Sequence, residues 1–230
     1  MLHELYDDAP SGRYNVNDES FVVVIRKNDS TYKFDESEVS ELFDIMENLK
    51  RVPNKLNPST YLKRYQLTLS PVDYNFGQNT KTIRFDENSP KLAISCKKIV
   101  NGIMSDNGHE ATNGCHITSY PNGEAGVDPH EDNEKVIDNS VPITSISFGC
   151  GRRFSFYRHQ NNKERYAQLA KSKAKTPPGP KPVRIASIRL KDGDVIIMNN
   201  MQTVNILHGI DKEPKITKRR LNLTFRKFTL

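Results

Sequence analysis

The chain reads as α+β and mainly β: a double-stranded β-helix, or jelly-roll, core with N-terminal helices packed outside it. Three observations point there. Two stretches in the first half carry apolar residues at helical spacing, short segments of period 2 follow one another from Cys115 onward, and tight-turn pairs such as Asp192-Gly193 separate them. Short strands in succession after two helices suit rolled sheets whose outer face the helices cover.

Residues 1–20 are polar and rich in turn formers, and Phe21 to Ile25 then forms a short buried strand. Asp35 with Glu38 three residues later is a helix start, and Val39, Leu42, Phe43, Met46 and Leu49 follow as a core-facing stripe ended by Pro53. From Asn54 to Asn88 the pattern is irregular, with Tyr61, Tyr65, Tyr74, Phe76 and Phe85 interleaved with Lys63, Arg64, Lys81 and Arg84. Such a mixture either stacks bases and meets phosphates or is a folded edge with buried rings. Ser89-Pro90 reads as an N-cap with proline at the first helical position. Leu92, Cys96, Ile99, Val100 and Ile103 continue that helix, Gly102 weakens it, and Gly108 lies beyond its end. Strands are expected over His116–Tyr120, Ile143–Phe148, Phe154–Tyr157, Ile185–Leu190, Val195–Met198 and Leu221–Phe228. The stretch from Arg158 to Arg184 interrupts them with eight basic residues against the single acid Glu164, and it closes on Thr-Pro-Pro-Gly-Pro-Lys-Pro. It is an insertion, either a solvated linker or a basic arm for a polyanion.

A chain of 230 residues is long enough for one sizeable core. The net charge of +6 favours polyanions only mildly, because 28 acidic residues are mixed among 34 basic ones. Cys96, Cys115 and Cys150 are odd in number and form no CxxC pair, which argues against a disulfide framework or a zinc site. No apolar run approaches the ~20 residues of a membrane span, and the first residues lack a secretory pattern. A soluble, intracellular monomer is expected, with cytoplasm or nucleus left open.

Two segments carry chemistry. In Pro129-His130-Glu131-Asp132-Asn133-Glu134 the even positions project to one side of an extended chain, so His130 and Asp132 can share one metal ion. With the remote His208 they make a two-His-one-carboxylate triad, which covers one face of a ferrous ion. A His-x-Asp tripeptide alone is equally a hydrated loop. The weighing changes at Arg220-Leu-Asn-Leu-Thr-Phe-Arg226, twelve residues after His208. Here Arg220, Asn222, Thr224 and Arg226 share one face, and their guanidinium forks suit a carboxylate. His109, His116 and His159 lack a partner at ligand spacing and are surface or structural residues.

Together with Ser-Tyr-Pro-Asn-Gly at 119–123, Ile-Ser-Phe-Gly at 146–149 and Asp-Gly-Asp-Val-Ile-Ile-Met at 192–198, these segments resemble the AlkB family of Fe(II)/2-oxoglutarate-dependent dioxygenases. The resemblance implies an enzyme domain over 59–230, with a nucleotide-recognition lid at 59–88 and the basic Pro-rich insertion at 158–184. Residues 1–58 would be an N-terminal extension whose strand and helix pack on the core. It implies Fe(II) on His130, Asp132 and His208, and 2-oxoglutarate as cosubstrate. Arg220 would clamp the distal carboxylate, Tyr120 and Asn222 would add hydrogen bonds, and Arg226 would lie near the chelating end. The family often has Asn where Thr118 stands, a shorter group here. Substrate residues would be Glu134, Tyr61, Arg64 and Tyr65; Glu134 either faces a methylated base or is a solvated acid. The activity implied is oxidative demethylation of N-alkylated nucleobases such as 1-methyladenine or 3-methylcytosine in DNA or RNA, releasing formaldehyde, succinate and CO2. This is DNA or RNA repair chemistry with nucleic acid as partner. The alternatives are the same chemistry on a protein side chain, or a non-catalytic nucleic-acid-binding relative.

Overall fold

The computed structural model describes residues 8–16, 20–54, 59–72, 81–132, 134–158, 182–200 and 206–229. The N-terminal half supplies strands β1 (Gly12–Asn15) and β2 (Phe21–Ile25), helix α1 (Glu36–Glu47), strands β3 (Tyr65–Ser70) and β4 (Lys81–Arg84), and helix α2 (Lys91–Asp106). Eight strands follow: β5 (Gly114–Tyr120), β6 (Val127–His130), β7 (Ile143–Gly149), β8 (Arg152–Arg158), β9 (Val183–Leu190), β10 (Val195–Asn199), β11 (Ile206–Ile210) and β12 (Arg220–Arg226). They form an eight-stranded sheet in the order β1-β2-β10-β7-β12-β5-β3-β4 and a four-stranded sheet in the order β6-β11-β8-β9. This is the expected pair of rolled sheets.

Alternation decides which core each residue joins. Leu221, Leu223 and Phe225 turn to one face of the large sheet, where they meet Leu42, Phe43 and Met46 of α1 and Leu92, Cys96 and Val100 of α2. A second cluster, including Val22, Val24, Ile143, Ile196, Phe156 and Ile188, fills the space between the sheets. Each such side chain, fully buried, contributes ~1.5–3 kcal/mol of transfer free energy. The two helices thus lie outside the roll, as expected.

Local signals held unevenly. Asp35 caps α1, its carboxylate accepting from the backbone N–H groups of Ser37 (2.7 Å) and Glu38 (3.4 Å). Ser89 does not cap α2: Pro90 occupies that position, and the Ser89 hydroxyl instead accepts from Asp86 N–H and donates to the Arg84 carbonyl, closing the preceding turn. The irregular 54–88 stretch contains two strands, with β3 antiparallel to β5 and β4 parallel to β3. Residues within 1–58 are built into the large sheet, since β2 pairs with β10 along its length. Among the described residues no helix is long and apolar enough to cross a membrane.

Two glycines give opposite expectations. Gly149 has φ +78°, and a Cβ there would lie 2.7 Å from the Arg219 carbonyl oxygen, whereas a Cβ on Gly102, inside α2, meets nothing within 4 Å. Gly149→Ala should destabilise the fold by about 1–3 kcal/mol in urea unfolding, and Gly102→Ala should stabilise it by up to about 1 kcal/mol. A neutral Gly149→Ala would contradict the turn described here.

Candidate metal centre and cosubstrate pocket

Strand pairing assembles the metal centre. His208 of β11 lies directly opposite His130 of β6 in the antiparallel register, with ring centroids 4.5 Å apart. Asp132 follows two residues after His130 and is 1% exposed. Its Oδ1 is 3.7 Å from His130 Nε2 and its Oδ2 is 3.6 Å from His208 Nε2. One ligand atom from each residue lies within 4.8 Å of the others. His130 Nδ1 faces the Asp128 carbonyl at 3.0 Å, and donation there leaves the Nε2 lone pair for the centre. Phe154 stacks on His208, the rings 5.5 Å apart and 11° from parallel.

The protonation states suit ligation. Burial pushes His208 down to about 3, with His130 and Arg226 adding to the effect and Asp132 opposing it, so the ring is neutral. Burial alone would raise the Asp132 carboxyl, but Arg226, with the two histidines, outweighs it and holds it well below the usual carboxylate range. With His208 neutral, Arg226 is the cation that keeps Asp132 ionised, its Nη2 donating to Oδ2 at 2.8 Å. The other oxygen, Oδ1, is buried without a hydrogen-bond partner. A divalent cation satisfies such an atom, and two imidazoles with one carboxylate fit Fe(II).

The inward face of β12 continues from this centre as a polar ladder. Arg220 Nη2 donates to Ser147 Oγ (2.8 Å) and Asn222 Oδ1 (2.7 Å), and Asn222 Nδ2 donates to Thr224 Oγ1 (2.8 Å). Arg220 is fully buried beside Tyr120, and its Nε and Nη1 lack a well-formed hydrogen bond. Burial lowers its pKa, and Tyr120 opposes that shift. Two buried, under-used guanidinium nitrogens fit a carboxylate. Thr118 and Tyr120 of β5, in register with Asn222 and Arg220, line the pocket that Asn222, Thr224, Arg226 and the metal-ligand residues also line. Sequence reasoning missed three of its polar residues: Gln66, His116 and Ser145. His116 is buried in the pocket wall and is no surface residue. Period 2 could have found it, because it shares a strand face with Thr118 and Tyr120.

Outside His130 a cleft of about 620 Å³ opens, lined by Tyr61, Lys63, Arg64, Glu131, Glu134 and Lys212 among others. Arg64 lines both cavities, and its Nη1 donates to the Gly126 carbonyl at 2.9 Å. Tyr61 is 62% exposed, and Glu134 Oε2 is buried without a hydrogen-bond partner. Tyr65 is a correction. It alternates with Arg64 and Gln66, so it faces the helix-side core, with the Arg51 guanidinium 5.0 Å over its ring. Most of the basic 158–184 stretch, residues 159–181, lies outside the described residues.

One arginine that the sequence analysis did not single out braces the site. Arg152 of β8 is fully buried and donates to the carbonyls of Asn122 (3.0 Å), Ala125 (2.7 Å) and Asp211 (2.6 Å), with Glu213 as counter-ion. It ties the loop entering β6 to the loop leaving β11, the strands that carry His130 and His208. The signal was a charge at the inward-facing position of Arg152, Phe154 and Phe156.

The chain matches the model of the 2OG-Fe(II) oxygenase superfamily over residues 25–226. The human DNA oxidative demethylase ALKBH2 is 29% identical over 142 residues, 62% of this chain and 49% of the relative. The Bos taurus DNA oxidative demethylase ALKBH2 is 27% identical over 111 residues, 48% of this chain and 35% of the relative. The chain therefore spans half or less of the length of these relatives. The solved structure of OsALKBH1 superposes with a TM-score of 0.52 at 15% identity, covering 94% of this chain and 100% of that one, which shows a shared fold.

The triad predicts metal-linked stability. At 100 times its Kd, Mn(II) or anaerobic Fe(II) should stabilise the native protein by about 2.7 kcal/mol, raising Tm by roughly 5–10 °C. His208→Ala should lose most of that rise, and an equal rise in the variant would contradict the ligand set. With the triad, the arginine-bearing strand and the matched span on one scaffold, the chain belongs to the 2OG-Fe(II) oxygenase superfamily, with Fe(II) and 2-oxoglutarate as metal and cosubstrate.

Proposed function

We propose that this chain oxidatively demethylates N-alkylated nucleobases in nucleic acid, with 1-methyladenine and 3-methylcytosine as the base class. The observation that carries the reading is the outer cleft, which His130 and Glu134 both line and where the Glu134 carboxylate keeps one buried oxygen without a partner. A methylated adenine or cytosine ring is cationic and carries an exocyclic amine, so a carboxylate with one buried, unpartnered oxygen complements it twice over, by charge and as an acceptor. Lys63, Arg64 and Lys212 on the same cleft suit phosphates, and the exposed Tyr61 ring offers a surface on which a base can stack. DNA is the favoured polymer, because the relatives that the chain resembles are named as DNA oxidative demethylases.

When bound, iron and 2-oxoglutarate supply the oxidising equivalent that hydroxylates the N-methyl carbon, and the hemiaminal then releases formaldehyde and the bare amine. The protein's residues divide the remaining work. Arg220, Asn222, Tyr120 and Thr118 hold the cosubstrate along β12 and β5. Arg226 holds Asp132 ionised and in place. Arg64 stands between the inner pocket and the outer cleft, anchored on Gly126, and restricts what passes between them. Glu134 orients the base over the centre and leaves metal ligation to the triad.

Glu134→Ala should lower kcat/KM on a methylated oligonucleotide by roughly tenfold or more, the scale of losing one charge-assisted hydrogen bond. Its Kd for 2-oxoglutarate should stay within about twofold of native. Equal losses in both measurements would make Glu134 part of the iron or cosubstrate site, and a methylated peptide turned over faster than any oligonucleotide would favour the protein-side-chain reading.

A further inference from the structure

The wall of the inner pocket contains a buried pair that neither metal ligation nor the β12 ladder uses. Gln66 of β3 and His116 of β5 are 5% and 6% exposed, and both line the pocket. Gln66 Nε2 lies 3.1 Å from His116 Nε2, and Thr68 Oγ1 lies 2.9 Å from His116 Nδ1. The amide nitrogen of Gln66 can only donate, so His116 Nε2 accepts. The ring is therefore the neutral Nδ1–H tautomer, donating from Nδ1 to Thr68. Burial, assisted by the Arg226 charge, keeps it neutral by pushing it down to about 3. The arrangement fixes the Gln66 amide in one orientation. One of its two hydrogens is taken by His116, and among the described residues the side chain makes no other hydrogen bond.

Register says where that amide points. Gln66 is the cross-strand partner of Thr118, which is itself the partner of Asn222, so the three stand in one row across β3, β5 and β12. The row lies between Arg220 and Arg226, two residues along β12 from Arg220 and four from Arg226 beside the metal ligands. Arg64 and His130 line both cavities, but Gln66 lines only the inner one. Its amide is thus set toward the cosubstrate's place and away from the cleft where a base would enter.

We propose that Gln66 is a cosubstrate-binding residue, giving its second amide hydrogen to an oxygen of 2-oxoglutarate, and that His116 is the positioning residue that aims the amide. The inference rests on the cosubstrate lying along β12 toward Arg220, as proposed above, and does not depend on the nucleic-acid reading. It also answers the shortness of Thr118: the neighbouring strand supplies an amide in the same row.

The test is anaerobic titration of the Fe(II)-loaded full chain with 2-oxoglutarate, reading Kd from the visible charge-transfer band, with Mn(II) affinity measured separately. Gln66→Met keeps the length and removes the donor, and it should weaken 2-oxoglutarate by roughly tenfold at unchanged Mn(II) affinity. His116→Leu should do about the same, and the double variant should be no weaker than the worse single one, because His116 acts through Gln66. Arg220→Met is the reference and should weaken binding further. Native-like binding by Gln66→Met beside a weakened Arg220→Met overturns this inference alone; native-like binding by both overturns the cosubstrate placement as well. Additive losses in the double variant overturn the positioning role of His116. If His116→Leu does not fold, Gln66→Glu carries the test, since a near-isosteric anion beside a dicarboxylate should weaken binding more than methionine does. A Gln66→Glu that binds 2-oxoglutarate as the native protein does, and loses only oligonucleotide affinity, overturns the inference in favour of a base contact.

Discussion

A carboxylate taken out of water needs a cation, and Asp132 at 1% exposure is the residue on which that requirement falls. Arg226 meets it from the last position of β12, 94 residues away in sequence. That one contact joins the end of β12 in the large sheet to the segment that follows β6 in the small one. The imidazoles on β6 and β11 then close on the same carboxylate because antiparallel register places them opposite one another. Removing Arg226 would leave a buried anion with no fixed cation until a metal arrived, a change that costs about 3–5 kcal/mol when a buried pair is broken. The metal centre and the cosubstrate wall are in this sense one electrostatic unit, joined through Asp132 and Arg226.

The pocket asks the large sheet to be polar on the inward face of four neighbouring strands. Gln66, Thr68, His116, Thr118, Ser145, Ser147, Asn222 and Thr224 stand where a simple sandwich would carry aliphatic side chains. Most of these groups hydrogen-bond to one another, which limits the cost of burial and fixes their rotamers. The compensating apolar burial lies on the other side of the same strands, where Leu67, Ile117, Ile146, Leu223 and Phe225 meet the helices. Period 2 makes the division possible, since one strand can serve a dry core and a reactive pocket at once.

That division explains how much was legible in the sequence. Strand β12 was readable because polar and apolar residues alternate over seven positions, and that alternation put Asn222, Thr224 and Arg226 on the side that lines the pocket. Both helices were readable from their apolar stripes. His208 could be chosen as the third ligand by its spacing to β12, but its pairing with His130 is a long-range fact that local pattern does not contain. Strands β1, β3, β4, β6 and β11 were missed. Four of them have four or five residues, and β6 contains Pro129, which is tolerated at an edge. Missing β3 misplaced Tyr65: with the strand known, Arg64 and Gln66 face one way and Tyr65 the other. His116 was set aside because ligand spacing was the only test applied to it, whereas its role comes from Gln66 and Thr68 on a neighbouring strand.

The central claim is that one pocket holds a metal at His130, Asp132 and His208 and a dicarboxylate reaching Arg220. Its most direct test is an anaerobic crystal structure with Mn(II) and 2-oxoglutarate. The account predicts metal density within about 2.2 Å of one atom from each of the three residues, and a cosubstrate carboxylate bonded to the Nε or Nη1 of Arg220 that now lack good partners. Metal held by other residues, or a cosubstrate whose carboxylates avoid Arg220, would contradict it.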